Sequence, residues 1–259
     1  MADVSGGMAG AALGAGELRG AWVEAQRTPK FSARGPITER YHAATKLVPA
    51  GRPLVSAATL PAPSAAISEV AGLRLPKPAE PATTVEASIR ARRSAKSFAR
   101  AKLSLPDLAF VLATAVGQPQ LTRAPGVELY VVAHRVEGLA SGVYRYEPAA
   151  HRLTTLHRGD LSRPMVRACL KQDKAGSAAA GLVMAAHLEG SSSALGDRRY
   201  RDLLLESGAI GQRIYLAAEA LGLAARNLAA FRDDRFNELL GLRERRLFAL
   251  HLTMLGREG

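Results

Sequence analysis

Hydrophobic positions along the chain switch between two periods, and the switch predicts the order of helices and strands. In the segment 105–116 apolar residues recur every three or four positions, as on one helix face: Leu105, Leu108, Val111, Leu112 and Val116. A hydroxyl at the expected N-cap in Ser104-Leu105-Pro106-Asp107 predicts that this helix begins there. From residue 127 the period shortens in Val127-Glu128-Leu129-Tyr130-Val131-Val132-Ala133, which predicts a strand.

The same patterns predict the other elements. A helix with capping-box spacing, Thr83-Thr84-Val85-Glu86, leads to a pair of arginines. Helices are also predicted over 160–170, from about Tyr200 to Leu221, and from a capping Asp233 to Leu240. Strands are predicted at 142–147, 151–156, 181–186, 223–228 and 248–255. Together these elements predict an α+β fold with one mixed central sheet and helices on its faces.

The longest predicted helix carries a stripe of small and apolar residues. Its members recur at three- or four-residue steps: Leu204, Gly208, Gly211, Tyr215 and Ala218. Small side chains at this spacing let another helix approach closely, so the stripe predicts a subunit interface.

Composition divides the chain into three parts. Residues 1–25 are rich in Gly and Ala, which predicts a flexible N-terminus. Residues 26–82 hold nine of the 14 prolines, which predicts an extended N-terminal arm that wraps a body. Residues 83–259 contain the predicted helices and strands and form that body.

Charge and cysteine content narrow the class of protein. The 259 residues have a formal net charge of +12 and one cysteine, Cys169, which excludes a disulfide framework and a multi-cysteine zinc site. No apolar run approaches the ~20 residues that span a bilayer, so a soluble, cytoplasmic protein without membrane contact is expected. The basic residues are scattered and aromatic residues make up 5%, so nucleic acid is not an expected partner. The six histidines lack metal-ligand spacing, and no metal site is predicted.

One cluster of cations follows the first predicted helix. Residues 92–98, here called the basic run, read Arg92-Arg93-Ser94-Ala95-Lys96-Ser97-Phe98. Their guanidinium, ammonium and hydroxyl groups could give a phosphate charge-assisted donors. The alternative is a solvated basic helix end, which the negative pole of the helix dipole favours. The segments downstream favour the first interpretation.

Several short sequence motifs accompany the basic run in a fixed order. Tyr41-His42-Ala43-Ala44-Thr45-Lys46 precedes it, and two motifs follow it: Gly142-Val143-Tyr144-Arg145-Tyr146 and Ala217-Ala218-Glu219-Ala220-Leu221-Gly222-Leu223. In this order and spacing, from about residue 40 to residue 257, the chain resembles the nitroreductase superfamily of flavoproteins. Within that superfamily it is most similar to the SagB-type dehydrogenases, which act beside azoline-forming cyclodehydratases.

The resemblance implies a nitroreductase-like FMN-binding fold and a domain-swapped homodimer with FMN at the subunit interface. It puts cofactor contacts on the basic run, with Arg92 and Arg93 at the phosphate and Ser94 at the ribityl hydroxyls. Lys96 would lie near the flavin pyrimidine edge, where a cation stabilises the anionic reduced flavin. A further phosphate-side contact would fall on Arg257, whose alternative is a plain surface charge.

Some positions differ from the family pattern. The loop 121–126 is shorter than usual and lacks a serine that precedes the strand at 127–133 in the family. A Lys-Tyr pair of azoline-oxidising members is replaced by Ala194 and Leu195, and a histidine by Ala209. A Gly-Gly pair is replaced by Ala229-Ala230. Each change removes a polar group or adds bulk where the flavin would lie.

Three functions follow as hypotheses. The first is FMN-dependent dehydrogenation of azoline rings to azoles in a ribosomal peptide natural-product pathway, with a peptide substrate and a cyclodehydratase partner. The second is a non-catalytic binding or scaffolding subunit, paired with itself or with a related chain. The third is an NAD(P)H-dependent nitro or quinone reductase, over which the arm residues Tyr41 and His42 favour the first. No catalytic residue is assigned, and Glu206 and Cys169 are expected to make structural contacts.

Overall fold

The computed structural model describes residues 72–78, 81, 83–117, 126–187, 199–243 and 247–259. The strands in these ranges are β1 (Leu73–Arg74), β2 (Val127–Ala133), β3 (Gly142–Glu147), β4 (Arg152–Arg158), β5 (Ala180–His187), β6 (Ala224–Leu228) and β7 (Leu247–Gly256). The helices are α1 (Val85–Ala91), α2 (Leu105–Val116), α3 (Ser162–Ala168), α4 (Lys174–Ser177), α5 (Arg199–Ala220) and α6 (Asp233–Leu239), with a 3-10 turn at Pro148–Ala150. Among these helices, none combines the length and apolar character that crossing a membrane requires.

A seven-stranded sheet in the order β1-β4-β3-β2-β5-β7-β6 organises the described residues. Neighbouring strands in this order pair antiparallel. Parallel pairing enters at two isolated bridges, Ser94 to Ala225 and Leu103 to Val136. Strand β5, next to the central strand β2, is buried from Ala180 to Ala186, which explains why it reads as a continuous apolar run. The predicted α+β fold, with one mixed sheet and helices, is confirmed.

Helices cover both faces of the sheet and complete two apolar cores. On one face α2 and α5 supply Leu112 and Ile214, which pack with Val131 of β2. On the other face Met165 of α3 and Phe236 of α6 belong to a core with Tyr130, Ala95 and Phe98. Since successive strand residues point to opposite faces, the neighbours Tyr130 and Val131 enter different cores. The second core therefore holds two members of the basic run.

The first helix begins at a hydroxyl cap. The Thr84 Oγ1 accepts a hydrogen bond from the Ala87 N–H at 3.1 Å. The capping box predicted from Thr83 to Glu86 is therefore wrong by one position, because Thr84 and not Thr83 is the N-cap. Glu86 instead pairs with Arg90 one turn along, at 2.8 Å.

Helix α2 also begins at a side-chain cap, whereas α6 does not. Ser104 Oγ accepts from the Asp107 N–H at 3.1 Å, which confirms the predicted start of α2. Asp233 was predicted as the cap of α6, but the N-cap is Arg232 and its side chain makes no capping bond. Asp233 is the first helical residue, where its carboxylate faces the positive end of the helix dipole.

The predicted interface stripe on α5 divides into two parts. Tyr215 and Ala218 are 6% and 1% exposed and belong to the core of their own chain. A Cβ on Gly211 would come within 3.0 Å of a histidine ring on β7. Gly208 faces open space, and Leu204 is exposed. The interface prediction is therefore wrong for the C-terminal part of the stripe, which packs on the sheet, and it stays a prediction for Leu204 and Gly208.

The described part of the proline-rich arm lies on the sheet. Leu73 and Arg74 form β1 and pair antiparallel with Leu153 and Arg152 of β4. The next residue, Leu75, is buried in the first core. Residues 1–25 and most of the arm, including Tyr41 and His42, lie outside the described residues, and the domain boundaries stay predictions.

Candidate cofactor site

The basic run leaves α1 and lies along the edge strand β6. The Ala95 N–H donates to the Ala225 carbonyl at 2.9 Å, and Ser94 forms its parallel bridge with the same residue. The Arg226 guanidinium donates to the Ala95 carbonyl at 2.9 Å. Main-chain pairing therefore fixes the backbone of the run against β6.

Burial separates the apolar and polar members of the run. Ala95 and Phe98 are buried in the second core. Ser94, Lys96 and Ser97 are exposed to solvent. The apolar side chains thus anchor the run, while the polar residues Ser94, Lys96 and Ser97 remain accessible to a ligand.

One buried hydroxyl connects the run to α5 and β6. The Tyr215 hydroxyl accepts a hydrogen bond from the Asn227 N–H at 2.8 Å. It lies 2.9 Å from Ser94 Oγ, where either hydroxyl can donate. The Arg92 guanidinium carbon lies 5.0 Å from the centroid of the same ring, in a cation–π arrangement. Tyr215 therefore contacts two of the predicted site residues.

Arg93 serves the end of α1. Its Nη1 donates to the carbonyls of Arg90, Ala91 and Arg92 at 3.0, 3.2 and 2.9 Å. These carbonyls belong to the last turn, whose acceptors have no partner within the helix. The helix-end interpretation of the basic run thus holds for this nitrogen. A guanidinium has two further nitrogens, so the exposed Arg93 keeps donors for a ligand.

The end of β7 comes beside the basic run. The Arg257 carbonyl accepts from the Ala99 N–H at 3.0 Å, and Phe98 bridges Glu258. The Arg257 guanidinium is 51% exposed and lies 3.9 Å from the Asp107 carboxylate, a distance at which an exposed ion pair stabilises little. The structure therefore brings the backbone at Arg257 next to the run, and its side chain is accessible.

Two other candidate residues have structural roles. Burial raises the pKa of the Cys169 thiol to about 12, and the residue packs in the second core, as expected of a small hydrophobe. Glu206 forms an ion pair with Arg213 at 3.5 Å, which agrees with the expected polar contact on the helix. Within the described residues no group of three or more His, Cys, Asp or Glu could hold a metal ion.

The positions that differ from the family pattern are described only in part. Residues 118–125, Ala194 and Leu195 lie outside the described residues. Ala209 is a half-buried residue of α5. Ala229 is exposed, and the Ala230 carbonyl accepts from Gln172 Nε2 at 3.0 Å. The segment after β6 is thus tied to the α3–α4 connection.

Sequence patterns did not identify Tyr215 or Asn227 as parts of this site. By its spacing, Tyr215 belongs to the predicted interface stripe of small and apolar residues. The available signal was its hydroxyl, since a buried tyrosine hydroxyl usually has a hydrogen-bond partner. Asn227 contributes its backbone N–H, which no side-chain pattern marks.

The described geometry agrees with what sequence and structure comparisons find. Residues 89–257 match the model of the nitroreductase family. A protein of Methanocaldococcus jannaschii named as a nitroreductase is 30% identical over 176 residues, which cover 64% of this chain and 87% of that protein. A nitroreductase from Anabaena variabilis is 30% identical with a TM-score of 0.62, and the match covers 68% of this chain but only 38% of the Anabaena chain.

Two further solved structures share the fold at lower identity. A chain of the Escherichia coli microcin synthetase McbBCD complex, with truncated pro-MccB17 bound, is 20% identical with a TM-score of 0.62. That match covers 96% of this chain and 98% of the Escherichia coli chain. The NADPH:FMN oxidoreductase from Vibrio harveyi, complexed with NAD+, is 17% identical with a TM-score of 0.51, covering 67% and 68% of the two chains. On the family match over residues 89–257 and the 30% identity to the archaeal protein, this chain belongs to the nitroreductase family.

Proposed function

We propose that the protein is an FMN-dependent oxidoreductase whose cofactor binds at the basic run. The observation that carries this proposal is a set of donors gathered on one short segment beside β6: the half-buried Arg92 and the exposed residues Arg93, Ser94 and Lys96. Two guanidinium groups, an ammonium and a hydroxyl suit a phosphate ester with a hydroxylated chain, and FMN has both features. The donor set therefore fits this cofactor.

Each residue of the set would have a separate task. Arg92 and Arg93 would bind the phosphate, with Arg257 as a further cation at the adjoining end of β7. Ser94 would bind a ribityl hydroxyl, and Lys96 would place positive charge beside the pyrimidine edge. FMN, when bound, supplies a two-electron acceptor. The cation at Lys96 would favour the reduced, anionic form of that acceptor electrostatically.

For the substrate we propose an azoline ring of a peptide. The support is the likeness to a chain of the microcin synthetase complex, which covers 96% of this chain, whereas the match to the Vibrio harveyi oxidoreductase covers 67%. Oxidation of an azoline to an azole removes two electrons and two protons. The cofactor and a base must therefore act on the same ring. A cyclodehydratase would be the partner enzyme that forms the azoline ring.

The first experiment is a visible absorption spectrum of the purified full chain, with mass identification of any molecule released on denaturation. We expect FMN at about one per subunit, or its uptake when FMN is added. In the absence of oxygen, an azoline-containing peptide should then bleach the flavin absorbance, with close to one flavin reduced per azoline oxidised. The mass of the peptide should fall by two units. A chain that binds FMN but leaves the azoline unchanged would contradict the substrate, and a chain that takes up no FMN would contradict the cofactor.

A nitro or quinone reductase is the second candidate. It is favoured by the names of the archaeal relative and of the Vibrio harveyi oxidoreductase, which was solved with NAD+. NAD(P)H consumption dependent on a quinone or nitro compound, with no azoline oxidation, would establish it. The third candidate, a non-catalytic subunit, is favoured by Ala229-Ala230 in place of Gly-Gly. Failure to bind FMN together with a stable complex with a related chain would support it.

We also propose that the protein dimerises. Two pairs of large apolar side chains are exposed: Val85 and Ile89 on α1, and Leu204 and Leu205 on α5. Adjacent exposed apolar groups of this kind mark association surfaces. Light scattering after size exclusion should give a dimer, and Leu205→Glu should shift it toward monomer. The exposed Gln212→Glu on the same helix is the control, and equal dimer stability in both variants would argue against this surface.

A further inference from the structure

We infer that Tyr215 is the positioning residue of the cofactor site, fixing the separation of the phosphate-binding Arg92 from Ser94. This inference rests on the proposed binding of FMN at the basic run. It concerns a residue that would not itself touch the cofactor, since its hydroxyl is already engaged by two protein groups.

The first support is that Tyr215 is rigid. Its side chain is 6% exposed and belongs to the core between α5 and the sheet. The Asn227 N–H donates to its hydroxyl at 2.8 Å, and this N–H belongs to β6, so it cannot move independently of the strand. A ring held by both packing and a backbone donor is a fixed reference point for other groups.

The second support is that the two contacts of Tyr215 differ in kind. Its hydroxyl reaches Ser94 Oγ at 2.9 Å, and its ring face lies under the Arg92 guanidinium at 5.0 Å. One side chain therefore orients the predicted ribityl contact by hydrogen bonding and the predicted phosphate contact by cation–π attraction. A long arginine side chain loses conformational entropy when it binds a ligand, because rotation about several bonds is restricted. A contact that already holds the side chain before binding reduces that loss.

The third support is that the polar connection continues into the sheet. Thr253 is fully buried on β7, and its hydroxyl donates to Asn227 Oδ1 at 2.7 Å. Ser94, Tyr215, Asn227 and Thr253 thus join the exposed run, α5, β6 and β7. The position of Ser94 is set by three secondary-structure elements, although Ser94 itself is exposed.

Two substitutions separate the two contacts. Tyr215→Phe removes the hydroxyl but keeps the ring under Arg92, so affinity for FMN and for riboflavin should fall alike, by about fivefold. Tyr215→Leu also removes the ring, so it should weaken FMN by a further factor of about five while riboflavin, which lacks the phosphate, loses no more. Both ligands are titrated against the full-length chain by quenching of flavin fluorescence.

The matched control is Tyr146→Phe. Tyr146 is 5% exposed, as buried as Tyr215, and its hydroxyl also makes a hydrogen bond, but it lies on β3, away from the basic run. This variant should bind both ligands as the wild type does. A purely structural role for Tyr215 would lower the FMN and riboflavin affinities equally in Tyr215→Leu, and that result would overturn the inference.

A second measurement serves if the Tyr215 variants do not fold. With 3-fluorotyrosine placed at position 215, the fluorine resonance should shift when FMN is added, and the same label at position 146 should not shift. An unchanged resonance at 215 in a chain saturated with FMN would overturn the inference. A wild-type chain that binds no FMN would overturn the proposed function and this inference with it, whereas FMN binding equal in wild type and both Tyr215 variants would overturn this inference alone.

Discussion

Two buried tyrosine hydroxyls, toward opposite edges of the sheet, each connect an outlying segment to a strand. Tyr215 connects the basic run to β6 through Ser94 and the Asn227 N–H. The Tyr146 hydroxyl lies 2.8 Å from His151 Nδ1, and His151 Nε2 donates to the Pro76 carbonyl of the arm at 3.0 Å. The first connection ends on side chains of the proposed cofactor site, and the second ends on a backbone carbonyl. The β6 edge therefore positions side chains, while the β1 edge holds a segment of chain in place.

The contact at the β1 edge relies on a protonated tyrosine and on a histidine with unusual backbone geometry. Burial raises the pKa of Tyr146 to about 12, so its hydroxyl stays protonated and can donate to His151. His151 adopts a left-handed backbone conformation at φ 44°, after the 3-10 turn, and reaches the arm from there. Such backbone is uncommon for a residue other than glycine and is maintained by its surroundings. The arm contact thus depends on a locally strained residue, whereas the basic run depends on one parallel bridge and a backbone hydrogen bond to β6.

The largest expected effect comes from reversing one charge at the β6 edge, compared with the same reversal at the β1 edge. Arg92→Glu reverses a predicted phosphate contact and should lower the affinity for FMN about 100-fold, since a charge-assisted contact is lost and repulsion replaces it. Arg74→Glu makes the same change on β1, where the side chain is exposed, and should leave the affinity within about twofold. Fluorescence titration of both variants checks this. Equal weakening would mean that FMN responds to the overall positive charge and not to the basic run.

Removing the second connection should affect stability and not binding. Tyr146→Phe deletes the hydrogen bond to His151 and should lower the free energy of unfolding by about 1 kcal/mol. Urea denaturation of the full chain measures it. Limited proteolysis should at the same time cut more readily near Pro76, because His151, which donates to the Pro76 carbonyl, is no longer held by the Tyr146 hydroxyl. Unchanged stability and proteolysis would show that the β1 strand pairing alone holds the arm.

Stability should also fall in mild acid. Burial lowers the pKa of His134, whose Nε2 donates to the Ala175 carbonyl at 3.1 Å, and burial lowers the pKa of His251 as well. Unfolding exposes both imidazoles, which then take up protons near the ordinary pKa of 6.5. The unfolded state therefore gains protons first, and the free energy of unfolding should decrease as the pH falls below about 6.5. Denaturation between pH 8 and pH 5 measures it, and His134→Asn should reduce the slope; an identical slope would assign the effect to other groups.

The smallest effect is expected at the exposed face of α1. The Glu86–Arg90 pair has both side chains more than 70% exposed, so Glu86→Gln should change the free energy of unfolding by less than about 0.5 kcal/mol. FMN affinity should stay unchanged, although α1 leads directly into the basic run. A loss of affinity here would indicate that the end of α1, and not β6, sets the geometry of the run.

Most elements could be predicted because their patterns are local. The five-residue helix face of α2 and the apolar runs of β2 and β5 need only the spacing of their own side chains. β1 could not be predicted, because two residues carry no period and pair only when β4 is beside them. The preference of Asp for the N-cap position predicts Asp233 as the cap, yet the chain enters α6 one residue earlier, at Arg232.

For the site, residue chemistry predicts a ligand class but not the arrangement of the residues. Two arginines, a serine and a lysine in five residues suggested a phosphate without any knowledge of neighbours. Tyr215 is 121 positions from Ser94, and no local pattern links the two. Likewise, Arg93 could be assigned both to a ligand and to the helix end, and only the three carbonyl contacts of its Nη1 show that the second role is real.

The long-range pairing of the basic run has a consequence for the order of folding. Ala95 is held by Arg226, 131 positions along the chain, and Ala99 is held by the Arg257 backbone beyond the last strand. Contacts across such separations form late, because a long loop must close before they contribute. In a chain whose β6 and β7 have not yet joined the sheet, the cations of the basic run would not yet be held in their final arrangement. Uptake of FMN should therefore report the completion of folding, and stopped-flow refolding should show flavin quenching only in the slowest phase.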